Sequence, residues 1–302
     1  KTAYEIRPRD WSSDVCSSDL GRAGSYGAVR SVNGATNPQI ALPSGGDCRV
    51  RLINSDPTRI MRVRIDGAEA AVVAIDGAAI PPFQPKAIVM GPAMRADLVL
   101  RAPEAGKIAR LVDDSGGSDV QLASFAGKGP LVRRTAFDPA PLRAPRIPQP
   151  DLGRARRFRL SLDRSEAGGL FAEPLDGMQQ IIMDSICLSS KDFWTINDRT
   201  WPDRDHSRLP PPFVTLEKNQ TYIVELENRS QFAHPIHIHG HTFKFLRGSQ
   251  QKLPPHFTDT VLLLPEEKVE VAFVADNPGD WMLHCHIIEH QETGMMTYFR
   301  VA

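Results

Sequence analysis

A period-two alternation of apolar and charged residues constrains the fold of this chain more than any other feature. Arginines alternate with valine and leucine over residues 49–52, and apolar residues alternate with arginine and aspartate over 61–66. Side chains two residues apart lie on the same face of a strand, so such segments predict strands with one buried face. Turn dipeptides at 33–34 (Asn-Gly) and 66–67 (Asp-Gly) separate these short runs, which suits tightly joined antiparallel strands. The alternation therefore predicts an all-β chain.

The length and one proline-rich segment predict two domains. A single core rarely grows beyond ~250 to 300 residues, and this chain has 302. The alternation returns over 158–162, and between the two parts residues 138–151 hold five prolines in fourteen residues. Proline removes a backbone donor and fixes φ, so neither a helix nor a central strand runs through this segment. We predict domains over 21–137 and 152–302, joined by a linker over 138–151.

The first twenty residues differ from the rest of the chain. They show no alternation, carry a Ser/Asp cluster, and lack the basic-then-apolar pattern of a signal peptide. They resemble the translation of a sequencing adaptor. We expect residues 1–20 to be a non-native leader and leave them out of the fold prediction.

Charge and hydropathy argue against a nucleic-acid partner and against a membrane-spanning helix. The 36 Lys and Arg balance the 36 Asp and Glu, so no global field gathers phosphates. No apolar run approaches the ~18 to 20 residues of a membrane-spanning helix. We expect neither a nucleic-acid partner nor a membrane span.

Histidine is confined to the last third of the chain. The nine histidines are His206, His234, His237, His239, His241, His256, His284, His286 and His290. Most of them lie in two segments, HPIHIHGH at 234–241 and HCHIIEHQETGM at 284–295. The break in alternation after Cys285 predicts a short helix around Glu289. These two segments carry the chemistry.

Strand parity divides the ligand-forming side chains between two faces. His237 and His239 share one face, and so do the two histidines that flank Cys285, whereas Cys285 and His234 tend toward the opposite side. This arrangement predicts two sites on opposite faces of the same strands.

The first of these sites combines Cys285 with His234 and His290, with Met295 nearby. One thiolate, two imidazoles and a distant thioether suit a blue-copper centre that cycles one electron. Structural zinc sites favour several thiolates, which makes zinc the weaker alternative. The second site gathers imidazoles without carboxylate, which also suits copper. Its members are His237, His239, His284 and His286.

The two segments resemble the C-terminal signature of the multicopper oxidases, the family of laccases, cuprous oxidases and ferroxidases. HPIHIHG and NPGDWMLHCHIIEHQETGM match this signature almost throughout. SVNGATNPQI, RVRLINS and IVMGPAMRADLVL resemble the middle cupredoxin domain of laccase-like, bacterial three-domain members, and WTINDRTWP resembles the third domain. The resemblance implies two consecutive cupredoxin-like Greek-key β-sandwich or barrel domains, the first without copper.

The resemblance also implies a role for each ligand. The type 1 copper ligands would be His234, Cys285, His290 and Met295; the type 2 ligand would be His237; the type 3 ligands would be His239, His284 and His286. Electrons from a small reducing substrate would pass from type 1 copper through Cys285, His284 and His286 to the trinuclear cluster, which reduces O₂ to water. The substrate would be a phenol or aromatic amine, or a metal ion such as Cu(I). The family resemblance further implies a periplasmic or secreted protein.

The chain departs from the family pattern in its histidine count. A trinuclear cluster of this family takes eight histidines, whereas this chain offers four, and residues 21–205 contain none. We expect that an N-terminal cupredoxin domain is missing and would complete the cluster. Alone, the chain should bind type 1 copper and hold the trinuclear site only in part.

Two alternatives and several residues stay open at this stage. An electron carrier or copper-binding module would use the type 1 site only, but such a protein does not need imidazoles on both sides of its cysteine. A copper nitrite reductase is a still weaker alternative. Some relatives carry an acidic residue at the position of Gln291, whose neutral amide cannot act as an acid. Glu289 is expected to be a solvated helix residue. No ligand role is expected for His241, His256 or His206, and Cys48 and Cys187 are expected to be buried free thiols.

Overall fold

The computed structural model describes residues 27, 29–132, 135–144, 146–164, 194–201 and 209–302. The predicted leader over 1–20 lies outside these residues, as do Cys187 and His206.

The regular secondary structure of the described residues is almost entirely β-strand, with one short helix, so the predicted all-β class is confirmed. The strands of the first region are β1 Gln39–Pro43, β2 Asp47–Ile53, β3 Met61–Asp66, β4 Ala70–Ile75, β5 Ala78–Phe83, β6 Ile88–Met90, β7 Arg95–Arg101, β8 Ile108–Asp113 and β9 Val120–Lys128. The elements of the second region are β10 Arg156–Arg164, β11 Trp194–Ile196, β12 Thr215–Leu216, β13 Thr221–Asn228, β14 His234–Ile238, β15 Phe243–Gly248, β16 His256–Thr258, β17 Thr260–Leu263, β18 Lys268–Val274, β19 Gly279–Cys285, helix α1 Ile288–Glu292 and β20 Met296–Val301. Among the described residues, no helix has the length and apolar character needed to cross a membrane.

The first region consists of two sheets, ordered β1-β9-β8-β3-β6 and β2-β7-β4-β5. In β2 the alternation appears as predicted, with half-buried Val50 and Leu52 alternating with exposed Arg49, Arg51 and Ile53. Strand β4 instead buries Ala71–Ala74 on both faces, because both sides of it are covered. Most neighbours are antiparallel, but β1 pairs with β9 in parallel, which a tight turn cannot produce.

The second region also consists of two sheets, ordered β11-β10-β13-β18-β15-β16 and β12-β20-β19-β14-β17. Its core cluster contains Trp194, Phe243, Phe245 and Phe273, each buried almost completely. Helix α1 spans five residues directly after β19, where the broken alternation predicts it. The strands of the first region end at Lys128 and those of the second begin at Arg156; the predicted linker lies between these two positions.

Strands β14 and β19 place the two histidine segments side by side. In this antiparallel pair Ile236 lies opposite Cys285, and His237 lies opposite His284. Ile236 and Cys285 both belong to the buried core. Because neighbouring residues of a strand point to opposite faces, His237 and His284 lie on the outer side of the same sheet.

The two regions contact each other beside that outer face. A Cβ atom at Gly91 would lie only 2.9 Å from Cβ of Pro235, so this close approach requires glycine. Arg95 pairs with Asp259, and Thr58 donates a hydrogen bond to Glu289. The first region thus contacts both histidine segments, 234–241 and 284–295.

Candidate metal centre

His234, Cys285 and His290 converge inside the second region. Cys285 Sγ lies 3.8 Å from His234 Nδ1 and 3.6 Å from His290 Nδ1, and the two nitrogens are 3.0 Å apart. All three side chains are 0% exposed. Among the residues that the structure describes, no other three His, Cys, Asp or Glu side chains bring their ligand atoms within 4.8 Å of one another. We refer to this group as the cysteine site.

Hydrogen bonds connect His234 to Ser230 and, through it, to Asn228. His234 Nε2 lies 2.8 Å from the Ser230 hydroxyl, and that hydroxyl is also within reach of Asn228 Oδ1 at 2.9 Å. In the tautomer with its proton on Nε2, His234 donates to the serine oxygen while the serine donates to Asn228. Nδ1 of this tautomer keeps its lone pair and faces Cys285. Such outer hydrogen bonds orient metal-ligating imidazoles.

The loop from Cys285 to Met295, which we call the copper loop, folds back on itself. The Met295 backbone N–H donates to His290 O at 2.9 Å, and the Cys285 N–H donates to Met295 O at 3.1 Å. Met295 is 0% exposed and belongs to the same core cluster as Cys285. The predicted fourth ligand therefore lies in the same buried environment as the other three.

Trp194 covers the cysteine site. Its ring centroid lies 4.4 Å from that of His290 and 4.9 Å from that of His234. The Trp194 backbone N–H also donates to Thr293 O at 3.0 Å. Sequence reasoning missed this contact, because β11 is far from the copper-loop segment in the chain and periodicity says nothing about which strands meet.

Burial keeps the donors of the cysteine site neutral. It raises the pKa of the Cys285 thiol far above its usual range and lowers the pKa of His234 well below its ordinary value, with His290 adding to the effect. A neutral imidazole offers a lone pair, and a metal ion that binds the sulfur displaces the thiol proton. Burial of a neutral donor set without a carboxylate suits a soft cation better than Ca²⁺ or Mg²⁺.

Four of the five other histidines in the two segments form a second cluster on the outer face of the sheet; we call His237, His239, His284 and His286 the outer histidines. Their ring centroids lie 4.9 Å apart for His237 and His239, 5.1 Å for His239 and His284, and 5.3 Å for His284 and His286. His284 is buried, His237 and His286 are half-buried, and His239 is exposed. Burial lowers the pKa of His284 to about 4. The cluster is open to solvent on one side.

Hydrogen bonds at Nδ1 orient two of the outer histidines. His237 Nδ1 lies 2.7 Å from Asp259 O, and His284 Nδ1 lies 2.8 Å from Cys285 O. Carbonyl oxygens only accept, so both rings carry their proton at Nδ1 and offer Nε2 to a ligand. His239 Nε2 and His284 Nε2 lie 3.0 Å apart. The bond from His284 to the Cys285 carbonyl also connects the outer histidines to the cysteine site.

Two expectations about single residues were wrong. Glu289 is 4% exposed and accepts a 2.8 Å hydrogen bond from Thr58 Oγ1, so it is a buried contact residue and not a solvated one. The first region covers this side of α1, which the sequence pattern of the helix alone does not reveal. Cys48 is a free thiol but only half-buried, because β2 presents it near the edge of the core.

His241 and His256 are buried without joining either cluster. His241 contacts Phe273, Trp281 and Phe299. His256 stacks on Phe245 at 5.3 Å between ring centroids. The absence of a ligand role for these two histidines stays a prediction.

Two all-β regions and a buried Cys-His-His group define a copper protein of the cupredoxin class. Residues 187–302 match the family model described as multicopper oxidase. The chain is similar to the crystal structure of a multi-copper oxidase from Pseudomonas thermotolerans, with 36% identity and a TM-score of 0.80 over 94% of this chain. The chain is therefore similar to multicopper oxidases along nearly its whole length.

Further relatives show the same similarity. The multicopper oxidase MmcO of Mycobacterium tuberculosis is 29% identical over 84% of this chain. The laccase-like multi-copper oxidase CueO of an Ochrobactrum species is 25% identical, with a TM-score of 0.75 over 96% of this chain. The chain spans 46% of the Mycobacterium protein, 62% of the Pseudomonas structure and 63% of the Ochrobactrum structure.

Proposed function

We propose that the whole protein is a copper-dependent oxidase that takes single electrons from a small reducing substrate and reduces O₂ to water. The observation that carries this proposal is the placement of Cys285. Its side chain belongs to the cysteine site, whereas the flanking His284 and His286 belong to the outer histidines. One residue therefore joins two clusters of metal-ligating side chains.

Each cluster has a separate task in this proposal. His234, Cys285, His290 and Met295 would hold type 1 copper; His237 would hold type 2 copper; His239, His284 and His286 would hold the type 3 pair. Copper bound in such centres exchanges one electron at a time and, in the outer cluster, supplies the chemistry that reduces O₂. The chain itself connects the two clusters through the backbone around Cys285 and through the His284 to Cys285 hydrogen bond of 2.8 Å. Complete burial of the cysteine site keeps water from the thiolate.

The outer cluster needs further imidazoles in this proposal. Among the described residues, no three outer histidines bring their ligand atoms within 4.8 Å of one another, and His239 is exposed. Residues 21–205 contain no histidine. We propose that another cupredoxin domain of the whole protein covers the open side and supplies four more.

An electron carrier that uses only the cysteine site is not favoured. Such a carrier does not need four imidazoles on the outer face of the same sheet. Partial burial lowers the pKa values of His237, His239 and His286. Burying these polar rings has a desolvation cost, which bound metal would offset.

For the reducing substrate we propose phenols or aromatic amines. The chain has eight methionines and no methionine-rich insertion of the kind that would gather Cu(I). A periplasmic or secreted location is also part of the proposal and rests on the family resemblance.

Copper loading of the present chain tests the cysteine site. We expect Cu(II) to produce an intense blue thiolate absorption, and Cys285→Ser to abolish it with the fold retained by circular dichroism. Cys48→Ser is the matched control, because it removes the other described free thiol and should leave the colour unchanged. A wild-type chain that binds Cu(II) without blue colour would contradict the assignment.

Oxygen consumption tests the rest of the proposal. The present chain loaded with copper should consume little O₂ with a phenol, whereas a protein that also carries the histidine-bearing domain should turn over. A faster steady-state rate with Cu(I) than with phenols would contradict the substrate class. Equal turnover by the present chain would contradict the need for further imidazoles.

A further inference from the structure

Asp259 holds His237 through its backbone carbonyl, and Oδ1 of its carboxylate lies 3.8 Å from the same ring nitrogen, Nδ1. The carbonyl of Asp259 accepts the Nδ1 proton of His237 at 2.7 Å. The hydroxyl of Thr260 lies 3.1 Å from the same nitrogen and donates to Asp259 Oδ1 at 2.9 Å. The conformation of residue 259 therefore determines which ring nitrogen of His237 keeps a lone pair.

The carboxylate of Asp259 is held by an arginine of the first region. Arg95 Nη1 donates to Asp259 Oδ1 at 2.8 Å, and Nη2 donates to Oδ2 at 2.6 Å. Two parallel bonds of this kind fix direction as well as distance, which a lysine cannot do. The two side chains are only 31% and 25% exposed, so solvent screens this pair less than a surface pair.

Arg95 is itself fixed within the first region. Its Nη2 donates to Asp76 O at 3.0 Å and its Nη1 donates to Ala93 O at 3.1 Å. Its backbone N–H donates to Asp76 Oδ1 at 2.7 Å, and Asp76 is also hydrogen-bonded to Thr258 of the second region. The guanidinium group therefore has little freedom to follow Asp259 if the latter moves.

We propose that Arg95 is a positioning residue for His237. It locks the Asp259 carboxylate, so that the Asp259 carbonyl holds the imidazole with Nε2 free and directed to the outer histidines. The first region, which contains no histidine, thereby helps to shape the outer cluster. The identity of the metal rests on the proposed function; the control of the His237 tautomer does not.

The metal-free chain provides the first test. Nitrogen-15 correlation spectra of the histidine rings should show His237 as the Nδ1–H tautomer in the wild type and as a mixture in Arg95→Met. Arg101→Met is the matched control. Arg101 lies at the other end of β7 and also forms a two-bond pair, through Nε and Nη2 with Asp47, but it does not contact the network of His237. Arg95→Lys keeps the charge without the fork and should give an intermediate tautomer ratio.

Copper titration provides the second test. Outer hydrogen bonds of metal ligands typically change affinity by about 10- to 100-fold, so we expect Cu(II) to bind the outer histidines of Arg95→Met at least ~10-fold more weakly, measured by the non-blue paramagnetic resonance signal. The blue absorption of the cysteine site should not change. In Arg101→Met both signals should match the wild type.

Three outcomes would overturn the proposal. They are an unchanged His237 tautomer in folded Arg95→Met, an unchanged outer affinity, and an equal weakening of both sites, which would indicate a purely structural ion pair. If the tautomer depends on Arg95 but Cu(II) binds neither cluster, the proposed function fails and the positioning role of Arg95 stands. If Arg95→Met does not fold, the tautomer ratio of His237 in Arg95→Lys tests the proposal instead.

Discussion

Asp76 shows how the contact between the two regions perturbs a single carboxyl group. Burial raises the pKa of Asp76 to about 6, although the hydrogen bond from Thr258 and the charge of Arg95 favour the ionised form. The Thr258 hydroxyl has one proton for two acceptors, Asp76 Oδ2 and Thr260 O. A protonated Asp76 resolves this shortage, because it donates to Thr258, which then donates to Thr260.

This shift predicts a defined pH dependence of stability. An unfolded aspartate has a pKa of about 3.9, so between about pH 4 and 6 the native state keeps a proton that the unfolded state has lost. Stability from this group is present below about pH 4 and falls as the pH rises to about 6, by up to roughly 3 kcal/mol in the free energy of unfolding. Arg95 and Asp259 face the same carboxyl group and are unchanged in Asp76→Asn. The stability of this variant should therefore not show the fall between about pH 4 and 6. Urea unfolding of both proteins at each pH measures the difference.

Asp280→Asn is the control for this experiment. The pKa of Asp280 is lowered by its hydrogen bond from Arg300, so its contribution to stability is lost as the pH falls. The difference between wild type and Asp280→Asn should therefore run in the opposite direction. A difference between wild type and Asp76→Asn that is flat from pH 4 to 6 would show that the raised pKa is wrong.

At the scale of elements, the sequence predicts what is local and misses what is distant. The two-residue period of a strand is local, so it separates Cys285 from His284 and His286 correctly, and the loss of that period correctly locates α1. Pairing between distant strands has no such signal, which is why the parallel pair of β1 with β9 was not predicted. The same limit applies to Trp194, whose contact with His290 depends on β11 lying beside the copper loop.

Strand β11 and the residues after it clamp that loop. The Trp194 N–H donates to Thr293 O, and the Trp201 N–H donates to Gly294 O, both at 3.0 Å. A Cβ atom at Gly294 would lie 2.5 Å from Trp194 O and 3.1 Å from Thr200 Cβ. The loop therefore passes so close to this backbone that only glycine fits.

Gly294→Ala should displace the copper loop. Its φ of +118° is unfavourable for alanine in any surroundings, at a cost of about 1 to 3 kcal/mol, and the clash with backbone adds to that. We expect a lower free energy of unfolding together with a shifted or weakened blue absorption in the Cu(II)-loaded chain. Gly117→Ala is the control, because φ is +75° but nothing lies within 4 Å. It should show the conformational cost alone with an unchanged spectrum, and equal effects of both substitutions would contradict the clamp.

At the scale of the whole molecule, the first region contacts the second at both of its clusters. Arg95 reaches the outer histidines through Asp259, and Thr58 reaches α1, which carries His290, through Glu289. The Ile288 N–H also donates to Pro57 O at 3.0 Å. Thr58 and Glu289 lie 231 residues apart in the chain, so no local pattern could have predicted that Glu289 is buried.

The Thr58 to Glu289 bond should couple the two regions energetically. Thr58→Val keeps the volume of the side chain but removes a donor from a buried carboxylate, which typically costs about 1 to 3 kcal/mol. Because the bond joins the regions, we expect the loss in the unfolding of the second region as well as of the first. Urea unfolding followed at Trp194, Trp201 and Trp281 measures the second region, and circular dichroism in the same titration measures both regions. In a double-mutant cycle, Glu289→Gln should cost less in the Thr58→Val background than in the wild type. Thr36→Val, at an exposed position of the first region, should leave stability nearly unchanged. Additive effects of Thr58→Val and Glu289→Gln would show that this bond does not couple the regions, and the Ile288 to Pro57 hydrogen bond would then be the contact that holds α1 against the first region.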